Sequence, residues 1–137
     1  MSRCGYIDDI DQRGLAMWRG RVASAIRGKR GQAMLRKLRD AMDAIPDKWL
    51  TRCVLMEKDG TPCALGLALR SAGIADTELI GMEGDDHEWI AERLNVASCL
   101  VQELEYLNDD FMWVEESDEA RWRRMRKLVD DLIRGDT

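Results

Sequence analysis

The sequence is poor in several things that enzymes and secreted proteins rely on. It has one histidine, His87, two prolines, two tyrosines and one phenylalanine in 137 residues. With a single imidazole and no glycine-flanked serine, the nucleophile-and-base constellation of acyl transfer is missing, and no catalytic activity or cofactor is expected. No apolar run approaches the roughly 20 residues of a membrane span, so no membrane partner is expected. Met1 to Asp11 has no apolar stretch and carries three aspartates, which speaks against a secretory signal and for the cytosol. The four cysteines, Cys4, Cys53, Cys63 and Cys99, form no C-x-x-C pair. Structural zinc is usually held by close-spaced ligand pairs, so a site made of Cys53, Cys63, Cys99 and His87 is not expected. Cysteines inside apolar patterns are better read as small hydrophobes.

What is present is a soluble composition, 45% hydrophobic and 34% charged, long enough to bury one core. The net charge of −5 conceals a segregation. Arg13 to Arg39 holds nine basic residues and no acidic one. Asp76 to Glu119 holds fifteen acidic residues and a single arginine, Arg93. Arg121 to Lys127 then returns five basic residues. Such a layout predicts one basic and one acidic face, which bear on partners and steering rather than on fold.

Apolar periodicity predicts the elements. Leu15, Trp18, Val22 and Ile26 mark a helix from Asp11 to Arg27. Leu35, Leu38, Met42 and Ile45 mark a second from about Gly31, ended by Pro46. The connection Arg27 to Gly31 predicts antiparallel neighbours. "WLTRCVLM", Trp49 to Met56, reads as one short strand. After the turn signal Asp59-Gly60 there are two readings: a helix with Thr61 as N-cap, Pro62 in its first turn and Gly73 after its end, or a hairpin with Pro62 on an edge strand. Ile74 to Gly84 reads as loop. Asp85-Asp86 caps a short helix through Leu94, Val96 to Asn108 forms the next, and Ser117 caps a last one from Asp118 to Arg134. The expected fold is mainly α: a single compact helical domain over residues 1–137, of about six helices, with at most one short strand or hairpin near residues 50–63. Trp18, Trp89 and Trp122 lie on helical patterns and are read as core.

Three motifs invite chemical readings. "IAERLNVASCLVQEL" fits a helix-turn-helix, with Ala91 at the small position, Asn95 in the turn, and Val96 and Val101 inward. Its second helix would carry Ala97, Ser98, Gln102, Glu103 and Glu105 and no lysine or arginine. Phosphates repel such a surface, so two helices packed at a tight turn are expected rather than a DNA reader. "AIRGKRGQAML" places Lys29 and Arg30 before a helix, without P-loop spacing and without interleaved aromatics. Basic residues there oppose the helix dipole at about 0.3–1 kcal/mol. A local cost without local gain points to a partner, and Arg27, Lys29, Arg30, Arg36 and Lys37 are the candidate contacts. "GDDHEWIAE" is not H-E-x-x-H, because residue 91 is alanine, and no D-x-[DN]-x-[DN]-G calcium loop is present, so no metal is expected. Asp85, Asp86, Glu103, Asp109 and Asp110, with Trp113 as an aromatic anchor, form the alternative, acidic candidate surface.

The segments "RCGYIDDID", "WRGRVASAIRGKRGQAMLRKLRDAMDAIPDK", "GTPCALGLALRSAGI", "DDHEWIAERLNVASCLVQELEYLND" and "RWRRMRKLVDDLI" follow one another along nearly the whole chain. Together they resemble a family of small proteins encoded by bacteriophages and prophages, with "SAIRGKRGQ" and "CALG" as the most specific pieces. The resemblance brings no activity, cofactor or functional residue with it. It implies a setting: an accessory protein made in the bacterial cytosol that acts by stoichiometric binding to a host protein or protein complex, such as an anti-CRISPR-like inhibitor of a defence system. The alternative is a nucleic-acid-binding module using the basic helix pair from Arg13 to Arg39.

Overall fold

The computed structural model describes residues 12–109 and 115–133. Among these residues there are seven helices: α1 (Gln12–Arg27), α2 (Lys29–Ala44), α3 (Ala64–Ser71), α4 (Asp76–Leu79), α5 (His87–Leu94), α6 (Ser98–Asp109) and α7 (Asp118–Leu132). The fold is mainly helical, with no sheet among the described residues, and one core gathers side chains from Met34 to Val129. α6 lies inside it, against α1, α3, α5 and α7, while α2 packs on α1, α3 and α7.

Helix ends follow the local chemistry. Asp86 accepts the Trp89 N–H at the start of α5, and Ser117 accepts the Ala120 N–H at the start of α7. Past the end of α3, Gly73 (φ 98°) and Ile74 turn the chain back. The Gly73 N–H bonds the Arg70 carbonyl and the Ile74 N–H bonds that of Leu69, a Schellman motif that satisfies two orphan acceptors. Asn95 adopts the left-handed conformation (φ 56°) that the α5–α6 turn needs.

Four local expectations change. The α1–α2 connection is the single residue Gly28 rather than Arg27 to Gly31, so Lys29 and Arg30 lie in the first turn of α2. A close approach makes this tight join workable: a Cβ on Gly31 would lie 1.9 Å from the Ala25 carbonyl oxygen. Trp49 to Met56 is not a strand, although Leu50, Leu55 and Met56 are fully buried. Its backbone bonds scatter: Leu50 N–H goes to Asp118, Thr51 N–H to Pro62 and Leu55 N–H to Met82, while the Leu55 and Met56 carbonyls accept from Cys63 and Gly81. Cys53, at φ 69°, also breaks the extended path that a ladder requires. Only isolated bridges form, from Met56 to Pro62 and to Ile80. Third, α3 starts two residues later than the Thr61-Pro62 signal. The Pro62 carbonyl is used by Thr51, and Cys63 caps the helix by accepting the Gly66 N–H on its Sγ. Fourth, Ile74 to Gly84 contains one helical turn, α4, which buries Leu79.

Two contacts tie α3 to the irregular segment. A Cβ on Gly66 would stand 1.8 Å from the Leu55 carbonyl oxygen, so the helix lies directly on backbone. Buried Asn108 on α6 accepts the Ala64 N–H at 3.1 Å and donates to the Thr51 carbonyl at 3.0 Å. Gly66→Ala is expected to cost about 3 kcal/mol, because backbone cannot move aside as a side chain can. Gly20→Ala, in open space on α1, is expected to gain about 1 kcal/mol from helix propensity. Urea unfolding midpoints of the two variants against the parent check both signs.

Candidate basic groove

The structure sorts the basic residues by what they already hold. The block from Arg121 to Lys127 is used internally. Buried Arg121 donates to the Leu50 carbonyl at 2.9 Å, the Glu116 carbonyl at 3.1 Å and the Asp118 carboxylate at 3.0 Å. Its Nε lies 3.5 Å from the Glu116 carboxylate, at ion-pair distance but outside hydrogen-bonding geometry. Arg124 grips Glu116 with two bonds of 2.8 and 2.9 Å and donates to the carbonyls of Leu107 and Asn108, closing the end of α6. The same contact holds the Glu116 carboxyl below its ordinary range. Arg126 pairs bidentately with Asp43, while Arg123 and Lys127 pair with Glu119 and Asp131 one turn away.

The block on α1 and α2 is different. Arg19, Arg21, Arg27, Lys29 and Lys37 are exposed and form no side-chain hydrogen bond or ion pair with the described residues. Arg36 is half-buried and engaged, and Arg39 pairs with its neighbour Asp40. Arg30 reaches only the Asn95 side-chain oxygen, at 3.3 Å. No side chain caps the start of α2, and its first turn holds no acidic residue.

Arg30 and Lys37 overhang a groove of about 260 Å³ between α2, the end of α3 and the end of α5. Its floor is apolar, from Met34, Leu38, Ala68 and Leu94. The opposite wall contributes Arg93, held with its guanidinium 3.9 Å from the centre of the Trp89 ring and bonded to the Trp89 carbonyl. Arg93 is the single arginine of the acidic stretch, and sequence separation concealed that it joins Arg30 and Lys37. The available signal was its place in the last turn of α5, beside the turn residue Asn95 that Arg30 contacts. Of the five basic candidates, Arg30 and Lys37 line this groove, Lys29 sits one residue from Arg30, and Arg27 and Arg36 are not part of its lining.

The acidic candidates do not form a comparable surface among the described residues. Asp86 is the cap of α5, and Asp85 beside it is exposed. Glu103 is half-buried and engaged, and Asp109 accepts from Asn108. Asp110 and Trp113 lie outside the described residues. Glu105 is buried with its Oε1 2.7 Å from the His87 Nε2. Asn95 makes the left-handed turn between α5 and α6 that the motif predicts, and α6 carries no lysine or arginine and no fully exposed residue, which does not suit a DNA-reading helix. Among the described residues no three potential ligands converge as a metal site would require. Burial pushes the Cys63 thiol up to about 12, which keeps it protonated and unreactive. No helix of the described residues is long and apolar enough to cross a membrane. Compared with family models, curated proteins and solved structures, the chain matches none.

Burial raises the Glu105 carboxyl above its ordinary 4.5, outweighing the stabilising contact with His87. The unfolded chain therefore ionises first as pH rises. The contribution of this group to stability is complete below about pH 4.5 and is lost as pH climbs through the raised folded value. Glu105→Gln, which keeps a hydrogen-bonding oxygen but cannot ionise, removes that loss. Its urea midpoint relative to the parent is expected to increase steadily between pH 4 and pH 7.

Proposed function

We propose that the chain is a phage or prophage accessory protein that works by stoichiometric binding, and that its working surface is the basic groove. The reading rests on one observation: Arg30, Lys37 and Arg93, brought from two distant parts of the chain, surround an apolar floor while carrying no carboxylate partner among the described residues. Elsewhere this protein pairs its cations tightly, as at Arg121, Arg124 and Arg126. Exposed, unpaired cations around an apolar floor suit a partner that offers carboxylates around an apolar anchor. The Lys29 and Arg30 charges in the uncapped first turn of α2 also raise the energy of the free protein slightly, and an acidic partner relieves that cost. The family resemblance supplies the setting: a protein or protein complex of the bacterial host, with a defence system as the specific target proposed. The cytosol is the compartment proposed with it.

A nucleic acid is the second reading. The observation favouring it is a row of exposed cations on α1 and at the start of α2 that pair with none of the described residues: Arg19, Arg21, Arg27 and Lys29. Phosphate contacts of this kind give binding that falls steeply with salt.

Capture from bacterial lysate separates the two. A protein partner is expected to stay bound to the tagged chain after nuclease digestion and to be released between about 0.05 and 0.5 M salt. Arg30→Glu/Lys37→Glu is expected to retain at least tenfold less of it, a change of about 1.4 kcal/mol or more. Both side chains are exposed, so the fold should tolerate the reversal. Retention that disappears with nuclease moves the function to nucleic acid. Equal capture by parent and variant removes the groove as the working surface.

A further inference from the structure

A second concavity, of about 340 Å³, lies between the end of α2 and the turn before α3. Pro46, Trp49 and Pro62 form its apolar walls, and Asp47 and Asp59 supply carboxylates. Trp49 is 43% exposed, the most exposed of the described aromatic residues, and its indole N–H donates to nothing in the described protein. Trp122, by comparison, spends its N–H on the Met42 carbonyl. The Asp47 carboxylate likewise forms no hydrogen bond or ion pair with the described residues. Asp59 uses one oxygen on the Thr61 N–H, and that contact holds its carboxyl below the ordinary range, so it is charged at neutral pH.

The cation of the lining is already neutralised. Arg70 is bonded to the Asp76 carboxylate at 3.0 Å and to the Gly60 carbonyl at 3.0 Å. The neighbouring Lys48 turns away, donating to the carbonyls of Asp43 and Ile45 and lying 5.7 Å from the centre of the Trp122 ring. Among the described residues the concavity therefore presents two carboxylates without an ion-pair partner, a flat indole and an N–H donor without an acceptor. Phosphates would be repelled. A purely apolar ligand would strand the carboxylates, at the desolvation cost of unpaired charge. A lysine or arginine side chain satisfies the carboxylates and can lie against the ring, and an adjacent peptide carbonyl satisfies the N–H.

We propose that this concavity is a docking site for a basic peptide segment of a partner protein, with its cationic side chain against Trp49 between Asp47 and Asp59 and one of its peptide carbonyls on the indole N–H. The site is opposite in sign to the basic groove and is independent of it. A partner using both would be held by two surfaces of complementary charge.

The test uses the full chain labelled with ¹⁵N and the capped peptide acetyl-Gly-Arg-Gly-Lys-Gly-amide. Trp49→Phe assigns the indole signal. The Trp49 indole resonance is expected to move and saturate with peptide, while those of Trp89 and Trp122 stay in place. Asp47→Asn/Asp59→Asn is expected to raise the dissociation constant at least tenfold; asparagine at position 59 keeps an oxygen for the Thr61 N–H, so the turn should survive. The unchanged dispersion of the other resonances verifies the fold of this variant. An indole signal unmoved up to about 5 mM peptide, weaker than any specific contact worth about 3 kcal/mol, overturns the proposal. So does an equal response from the asparagine variant or from a peptide with glutamine in place of arginine and lysine. Saturation by tetramethylammonium at the same affinity would assign the site to a small ammonium ligand and overturn the peptide reading.

Discussion

The absence of a side chain at Gly66 is the constraint from which most of this structure follows. Because the helix axis can approach until the Cα of Gly66 meets the Leu55 carbonyl, α3 lies flat on an irregular segment with no helix or sheet of its own. That segment, residues 50 to 56, would otherwise bury backbone groups without partners. The helices around it and the turn below it supply them. Asn108 from α6 takes the Thr51 carbonyl, Arg121 from α7 takes the Leu50 carbonyl, and Met82 beyond α4 accepts the Leu55 N–H. A buried amide that satisfies a helix start and an extended backbone together is worth more than either bond alone, since removing it leaves two polar groups stranded. Leu50, Leu55 and Met56 can then fill the core between α3 and its neighbours.

The same economy governs the charges. Two basic blocks and an acidic stretch in one small domain can cancel one another or be held apart, and here both occur. The α7 arginines work as structural clamps: Arg124 closes the carbonyl end of α6, Arg121 anchors the irregular segment, and Arg126 joins α7 to Asp43 at the end of α2. Their carboxylate partners are drawn from α2, α7 and the segment just before α7. The described part of α1 and the first half of α2 carry no acidic residue of their own. Arg19, Arg21, Arg27, Lys29 and Lys37 keep their charges unpaired among the described residues, and Lys37 lines the groove with Arg30 and Arg93.

Two surfaces of opposite sign then lie along the same α2–α3 layer. The basic groove uses the first half of α2 and the end of α3; the Trp49 concavity uses the exit of α2 and the turn that enters α3. The helices are common to both, so the Gly66 contact that seats α3 also shapes both openings.

Much of this was legible in the sequence. Helical periodicity, with the caps Asp86, Ser117 and the Gly73 turn, specified the helical class, the order of the longer helices and most of their ends, because these depend on neighbours three or four residues apart. Lys29, Arg30 and Lys37 stood out as cations without local purpose by the same near-neighbour logic. The strand-like reading of residues 49–56 failed because β-branched and bulky composition reports burial, not ladder pairing, and the left-handed Cys53 bends the path. The joining of Arg93 to Arg30 and Lys37, of His87 to Glu105 and of Arg121 to Leu50 spans from 18 to 71 residues of chain. Local pattern decided where the chain coils and where it turns. Which charges are consumed and which are left for a partner was decided only when packing brought distant segments into contact, because a Coulomb or hydrogen-bond partner is set by distance in space, which composition does not carry.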